Sequence, residues 1–488
     1  MSSWAEEREF FTWAQYGFRK QLGTVDQGLN LHLISSKYVL AKNESLFTAF
    51  MDLSQAFDCV VRDKLWDILY NIGLDENLIV FLRQLHTSTT ACVTLDSHGR
   101  TSRKININRG VRQGCIMAPF LFNVYTNGLE ACLLDLNADP PRVGRKCIPL
   151  LLYADDAVLM SHTPLGLQRL INGYTDFMSS LGLLVNTAKS HSMTFSRNRS
   201  RKSYYFYSNN TRLLPVNSFS YLGILFDTRI NWLSLQSLKQ TQLIKAGGAL
   251  FSFGRRLGGR PPRPMLELYR AKCVSLALYG SGIWGYHTMN PLQTEQIRFL
   301  RRLLGVPFNT PAFLVHEELG VPFLEDLIAL QPLLLWFSIW ATEGKKLNRA
   351  IVEDCLTLDN CSAIPWLSFI KTELVRMGLG DLFITRGILS KSEIFHIKQD
   401  FLSRRALYRE EIELQKPSVN SFIKLKTVIG LEPYLVWTNT NFYHAKLLTR
   451  LRFNLITYFL STTKGWCDPN LLGPCDCDGC SIQTASHF

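Results

Sequence analysis

The sequence predicts an α+β fold: a small antiparallel sheet with helices on one face, leading into a mostly α-helical second half. Three observations predict it. Between residues 45 and 227 the hydrophobic pattern changes period in the order strand, helix, hairpin, helix, hairpin, helix, strands. Past residue 234 the strand-like alternation fades and helical period takes over. The chain has 488 residues, too many for one core, and this suggests about two to four domains.

The elements follow in order. "SLFTAFMDL" (45–53) is a short apolar run, the pattern of a buried strand. "RDKLWDILYNIGL" (62–74) has helical period, with Leu65, Ile68, Leu69 and Ile72 on one side. "ACVTLDSHGRTSRKININ" is two alternating runs around Ser97-His98-Gly99, a hairpin signature. "APFLFNVYTNGLEACLL" (118–134) predicts a helix with proline in its first turn. "CIPLLLYADDAVLMS" predicts a second hairpin, its turn falling on Ala154-Asp155-Asp156. Residues 164–183 read as an amphipathic helix. "HSMTF", "RLLPV" and "SYLGILF" add short strands. "GGRPPRP" (258–264) reads as a boundary or hinge.

Composition narrows the class. Apolar residues make up 47% and charged residues 19%, a folded rather than a disordered chain. A net charge of +13 favours an anionic partner, nucleic acid or an acidic membrane surface. No apolar signal region opens the sequence. "LIALQPLLLWFSIWA" (327–341) is short for a membrane span and contains Pro332, so it reads as a buried, kinked helix. The twelve cysteines stand mostly singly in apolar segments, for example Cys59, Cys92, Cys132 and Cys273. That usage predicts reduced core cysteines and an intracellular chain.

One stretch departs from the strand pattern. In "LLYADDAVLM" two carboxylates interrupt an apolar run. Turns favour Asp, so an ordinary turn would explain them alone. "FMDLSQAFD" supplies a third acid, Asp52, at the end of the other predicted core strand. If the two strands are neighbours, Asp52, Asp155 and Asp156 gather at one sheet edge. Carboxylates that close repel one another unless a cation is present. A few carboxylates, with water and phosphate completing the shell, suit Mg²⁺. Two such ions can clamp an in-line displacement at phosphorus.

"YADD" between apolar strands, preceded by "FMDLSQAFDCV" and "GVRQGCIMAPFLFNVYTNGLE", resembles the reverse transcriptase of non-LTR (LINE-type) retrotransposons. "YGFRKQLGTVDQ" (16–27) is similar to the family's finger segment, "LGLLVNTAKSHSMTF" (181–195) to its motif D, and "SFSYLGILFD" (218–227) to its primer-grip region. The resemblance covers roughly residues 4–290. It implies a right-hand polymerase palm with partial fingers, a helical thumb and a mostly helical C-terminal region. The implied layout is 1–49 partial fingers, 50–233 palm, 234–290 thumb, 291–460 helical region and 461–488 a truncated Cys/His knuckle.

The implied activity is RNA-directed DNA polymerisation with an RNA template, a DNA primer, deoxynucleoside triphosphates and two Mg²⁺ ions. Asp52, Asp155 and Asp156 would hold the metal. Phe57 would crowd the sugar 2′ position, although core packing also explains an aromatic there. Gln113 and Gly114 would line the nucleotide and template pocket. Lys189 would sit near the leaving pyrophosphate, and Arg19 and Lys20 near template or incoming phosphates. Ile116-Met117-Ala118-Pro119 departs from the Pro-Leu-Ser-Pro-like run of relatives. Three acids alone would also suit a metal nuclease, in which motif B, Phe57 and Lys189 have no role.

The tail "CDCDGCSIQTASHF" places Cys477, Cys480 and His487 at zinc-ligand spacing. It is similar to the first three ligands of the family's Cys-Cys-His-Cys knuckle, and the fourth is absent, so Zn²⁺ binding would be incomplete. The resemblance also leads one to expect truncation at both ends, with no endonuclease. A catalytically inactive remnant that only binds nucleic acid is the alternative. Nuclear action is expected from the family, and no membrane association.

Overall fold

The computed structural model describes residues 1–415, apart from 88, 95–100, 113, 198–203, 257–260, 288–289 and 342–345, together with Thr449. Two compact units divide the chain: Met1–Trp232 with Thr342–Ser368, and Leu233–Ala341 with Phe369–Phe488.

The first unit is built on a six-stranded sheet. Its strands are β1 (Leu46–Met51), β2 (Leu150–Tyr153), β3 (Asp156–Ser161), β4 (His191–Phe195), β5 (Phe206–Ser208) and β6 (Thr211–Pro215), in the spatial order β5-β6-β4-β1-β3-β2. All neighbours are antiparallel except β4 and β6. Every residue of β1 is buried, which explains its apolar run: a central strand covered on both faces has no polar side, and its one polar residue, Thr48, donates to Met193 O at 2.8 Å.

One face packs on the helices α2 (Ala118–Thr126) and α3 (Pro164–Ser180), whereas the buried side chains of α1 (Thr24–Ser36) lie outside that core, its His32 ring 5.2 Å from Trp232. Helix α3 is the main cover, burying Leu167, Leu170, Ile171, Tyr174 and Met178 along one stripe. The Thr163 hydroxyl caps its start by accepting from the Gly166 amide. Truncating Leu170, which is fully buried, would cost about 2–5 kcal/mol. The other face is covered at Phe50 by a hairpin, β7 (Ser218–Tyr221) and β8 (Ile224–Asp227). There Phe219 stacks on Phe50 with centroids 4.2 Å apart. Leu222 and Gly223, at φ 48° and 76°, form its two-residue turn, the twist that suits paired strands.

Three local expectations need correction. The run 118–134 is not one helix: it breaks between α2 and Leu129–Leu134, where Gly128 packs against the Phe177 ring. The turn of the β2–β3 hairpin is Ala154-Asp155, because Tyr153 pairs with Asp156 and the latter already belongs to the strand. Cys92 is exposed rather than core, whereas Cys273 is buried and Cys59 and Cys132 are half-buried. The hairpin expected at 91–108 is present as short pairings of Thr90–Ala91 with Ile105–Asn106.

The described part of the second unit is helical, including α4 (Leu233–Arg256), α5 (Asn290–Leu304), α6 (Leu324–Ala341) and α7 (Lys391–Leu414). Helix α6 is long and apolar enough to cross a membrane by length and composition. Within the unit it is a core helix, with Pro332 inside it and Trp336 and Trp340 buried. Arg409 of α7 clamps it through Glu325 and Asp326.

Candidate active site

The three acids meet at one end of the sheet because of register. Met51 pairs with Ala157, so the next step along both strands brings Asp52 opposite Asp156. Asp155 lies beside them in the turn.

Ala154 holds that turn at φ 58°, a left-handed conformation that costs an L-residue roughly 1–2 kcal/mol. Strain of this kind persists only where the surroundings enforce it, and here an N-terminal segment does so. The side-chain oxygen Oε1 of Gln15 accepts from the Ala154 amide at 3.0 Å and the Gly17 amide at 2.8 Å. Backbone bonds join Tyr16 N to Leu152 O and Leu152 N to Ala14 O, each at 2.9 Å. From α1 the Gln27 amide donates to both Ala14 O and Leu152 O at 2.8 Å. From α2 the Asn123 amide donates to Gly17 O at 2.7 Å. Gly17 has a steric reason to be glycine, since a Cβ there would lie 2.3 Å from Ala154 N.

Asp52 is fixed from the other side. Its amide donates to Ser190 Oγ at 3.0 Å, and its carbonyl accepts from Asn186 N at 2.8 Å. Ser190 in turn donates to Asn186 O at 2.8 Å.

The acids open into a cleft of about 250 Å³ whose lining includes Asp52, Asp156, Lys189, Phe219, Tyr221 and Leu222. Loss of water around Asp156, then the charges of Asp155 and Asp52, push its carboxyl up to about 6. Asp155 is raised as well, by burial first and then by Asp52. Among the described residues no ion pair reaches any of the three. Nor does a group of three His, Cys, Asp or Glu side chains among them form a ready-made metal cage. The donor set still fits Mg²⁺, which takes one or two carboxylates and completes its shell with water and substrate phosphates.

The remaining sequence-predicted residues fall as follows. Lys189 is exposed and shares the cleft with Asp52 and Asp156. Phe57 is half-buried and stacks on Phe122 at 4.8 Å. Gly114 adopts φ 80° with open space where a Cβ would stand, so backbone conformation favours glycine there. Gln113, Cys477, Cys480 and His487 lie outside the described residues. Lys20 is exposed. Arg19 is held internally: its guanidinium binds Glu6 at 2.7 and 2.9 Å and the carbonyls of Thr12 and Gln15. Gln15, Gln27, Asn186 and Ser190 escaped the sequence reading. Gln15 alone carried a signal, an amide inside the apolar run "FFTWAQYGF".

Residues 4–226 match the reverse transcriptase (RNA-dependent DNA polymerase) family. The chain is 26% identical over 331 residues to the Pol polyprotein of the type-2 retrotransposable element R2DM of Drosophila melanogaster. That match covers 64% of this chain and 30% of the relative. It is 22% identical over 330 residues to the RNA-directed DNA polymerase of the mobile element jockey of Drosophila melanogaster, covering 64% of this chain and 34% of the relative. The chain thus spans about a third of the length of these curated relatives. A telomerase structure from Candida albicans aligns over 71% of this chain and 58% of its own, at 14% identity and a TM-score of 0.29. Residues 4–226 thus match a reverse transcriptase domain, and the relatives named here are polymerases of non-LTR retrotransposons.

Proposed function

We propose that this chain adds deoxynucleotides to a DNA 3′ end on an RNA template. The observation that carries the reading is the gathering of Asp52, Asp155 and Asp156 at one sheet end with no cation partner among the described residues. The family is generally metal-dependent, and these three acids are the residues that would hold Mg²⁺. Bound there, two such ions would activate the primer hydroxyl and neutralise charge on the triphosphate.

The chain's own residues would do the rest. Lys189, on the cleft wall, would donate a proton to the leaving pyrophosphate or steady its charge. Phe57, braced by Phe122, would present a rigid ring that crowds a 2′-hydroxyl. Gly114, with no side chain and free space beside it, would let a nucleotide approach the backbone.

Primer extension tests the reading. Purified chain would receive poly(rA)/oligo(dT), Mg²⁺ and dTTP, beside the Asp155→Ala, Asp156→Ala double variant. The expected result is extension by the parent and none by the variant. Extension by neither, with salt-sensitive binding of the primer–template intact, would replace the reading with that of a nucleic-acid-binding remnant.

A further inference from the structure

Far from the acids, the sheet ends in the β5–β6 ribbon. Asn209 and Asn210, at φ 47° and 61°, make its tight turn. Alternation sorts its side chains. Phe206 and Leu213 point into the helix-covered core, and Tyr207, opposite Arg212, points outward. Tyr205, just before β5, lies on the same side, because the Arg212 guanidinium stacks over its ring at 3.7 Å. Leu214, two residues after Arg212, shares that face.

The face is open. Tyr205 is 50% exposed, Tyr207 45% and Leu214 57%. Arg212 makes no ion pair among the described residues. Two tyrosine rings, a leucine and an uncompensated guanidinium side by side are unusual on a surface that faces only water.

Charge says what would cover it. From Phe177 to Phe226 the sequence holds no Asp or Glu, yet it contains Lys189, Arg197, Arg199, Arg201, Lys202 and Arg212. The partner is therefore anionic. The edge geometry argues against a peptide strand adding to β5. Gln168 of α3 already donates to Tyr207 O at 2.7 Å and accepts from Tyr207 N at 3.0 Å, closing the edge there. What remains is a ligand that lies on the face, carries negative charge and offers flat rings. Single-stranded nucleic acid has those properties.

We propose that Tyr205, Tyr207, Arg212 and Leu214 form a binding surface for single-stranded nucleic acid, separate from the acid-lined cleft. Bases stack on the two tyrosines, and Arg212 meets the backbone. The sheet connects this surface to the cleft. Leu214 pairs with His191, and His191 pairs with Phe50 on the same face. The His191 ring lies 5.5 Å from Phe219, which lines the cleft. The ribbon and the cleft thus lie on one face of the sheet, with the β7–β8 hairpin seated over Phe50 between them.

The full chain would be titrated with a fluorescein-labelled oligo(dT) of about 20 nucleotides, with an unlabelled hairpin primer–template in excess to occupy the cleft. Anisotropy should show that Tyr205→Ala with Tyr207→Ala weakens binding about ten-fold or more, whereas the paired Phe replacements bind as the parent. Arg212→Gln should lower the salt slope by about 1. On the unmodified chain, an iodouracil-substituted oligonucleotide should photo-cross-link within residues 204–215, a result independent of any variant's folding. Equal affinity of the Ala pair and the parent would overturn the proposal. So would cross-links confined elsewhere, or no binding of single strands. Binding here needs no catalysis, so a chain that fails to extend primers yet cross-links at the ribbon sinks the polymerase reading alone.

Discussion

Two acid clusters in this chain are handled in opposite ways. In the second unit Asp326 and Glu373, whose side chains are 5% and 6% exposed, are answered by arginines: Arg409 and Arg405 for the first, Arg405 and Arg376 for the second. In the first unit Asp52, Asp155 and Asp156 crowd together without a cation, and the Asp156 carboxyl rises to about 6. Asp52 and Asp155 are half-buried and Asp156 is exposed, so what makes this arrangement costly is the mutual repulsion of carboxylates crowded without a cation. A fold that pairs its acids in one place and leaves three together in another is keeping the second set for something that arrives from outside. The paired cluster is structure, and the unpaired cluster is the candidate site.

The difference can be broken from both sides. The largest effect should follow from Asp155→Asn with Asp156→Asn. Extension should fall about a thousand-fold or more, because the cation ligands are gone. In EDTA the same variant should be more stable than the parent, by about 0.5–2 kcal/mol, because repulsion is relieved. A variant that loses both activity and metal-free stability would make these acids structural after all. Arg409→Ala should do the reverse. Removing the nearer of the two arginines on buried Asp326, with Arg405 still beside it, should cost at most about 3–5 kcal/mol, read as a fall in Tm, with extension per folded molecule retained.

Next comes the brace under the turn. Gly17→Ala forces a Cβ against the Ala154 backbone and should distort the acid turn, lowering both Tm and extension. Gln15→Met removes one acceptor for two amides, a loss of about 1–3 kcal/mol. Hydrogen exchange should show lost protection at Ala154. Unchanged protection would remove Gln15 from the account.

The smallest effects are in pH. The Asp156 carboxyl is raised in the fold, so its contribution in metal-free protein is full below about 4 and lost as pH rises through about 6. His316, in the paired unit, is held down to about 4 by burial, then by Arg409 and Arg301, although its bond to Val321 opposes this. Its contribution is full above about 6.5 and lost as pH falls toward 4. A pH series of Tm in EDTA should therefore lose its neutral-side decline in Asp156→Asn and its acid-side decline in His316→Gln. Identical profiles for both variants and the parent would show that neither group is linked to folding.

Much of the site was legible because it is local. Strand period marked 45–53 and 147–161 as strands with acids at their ends, and the register that brings those ends together came from the fold. The split at Asn127-Gly128 was not legible, because both residues keep right-handed helical dihedrals and only the bonding pattern is interrupted. Nor was the exposure of Cys92, which follows from a short edge pairing rather than from its apolar neighbours. Arg19 looked like a phosphate ligand, and only the fold shows Glu6 returning to occupy it.

By itself the sequence determined the class of the first unit, its order of strands and helices, and the three acids. These rest on patterns within a few residues, where side-chain period and turn chemistry suffice. Tertiary structure alone decided what holds the acids in place. Gln15 and Gln27 near the start of the chain, Asn123 and Ser190 come from three distant regions, and each matters through a bond to backbone that the sequence does not mark. It also decided that residues 342–368 return to the first unit, where Asn348 N donates to the Tyr16 hydroxyl at 3.1 Å. Such contacts are chosen by packing, in which any buried polar group must find a partner, and the partner's position in the chain is immaterial.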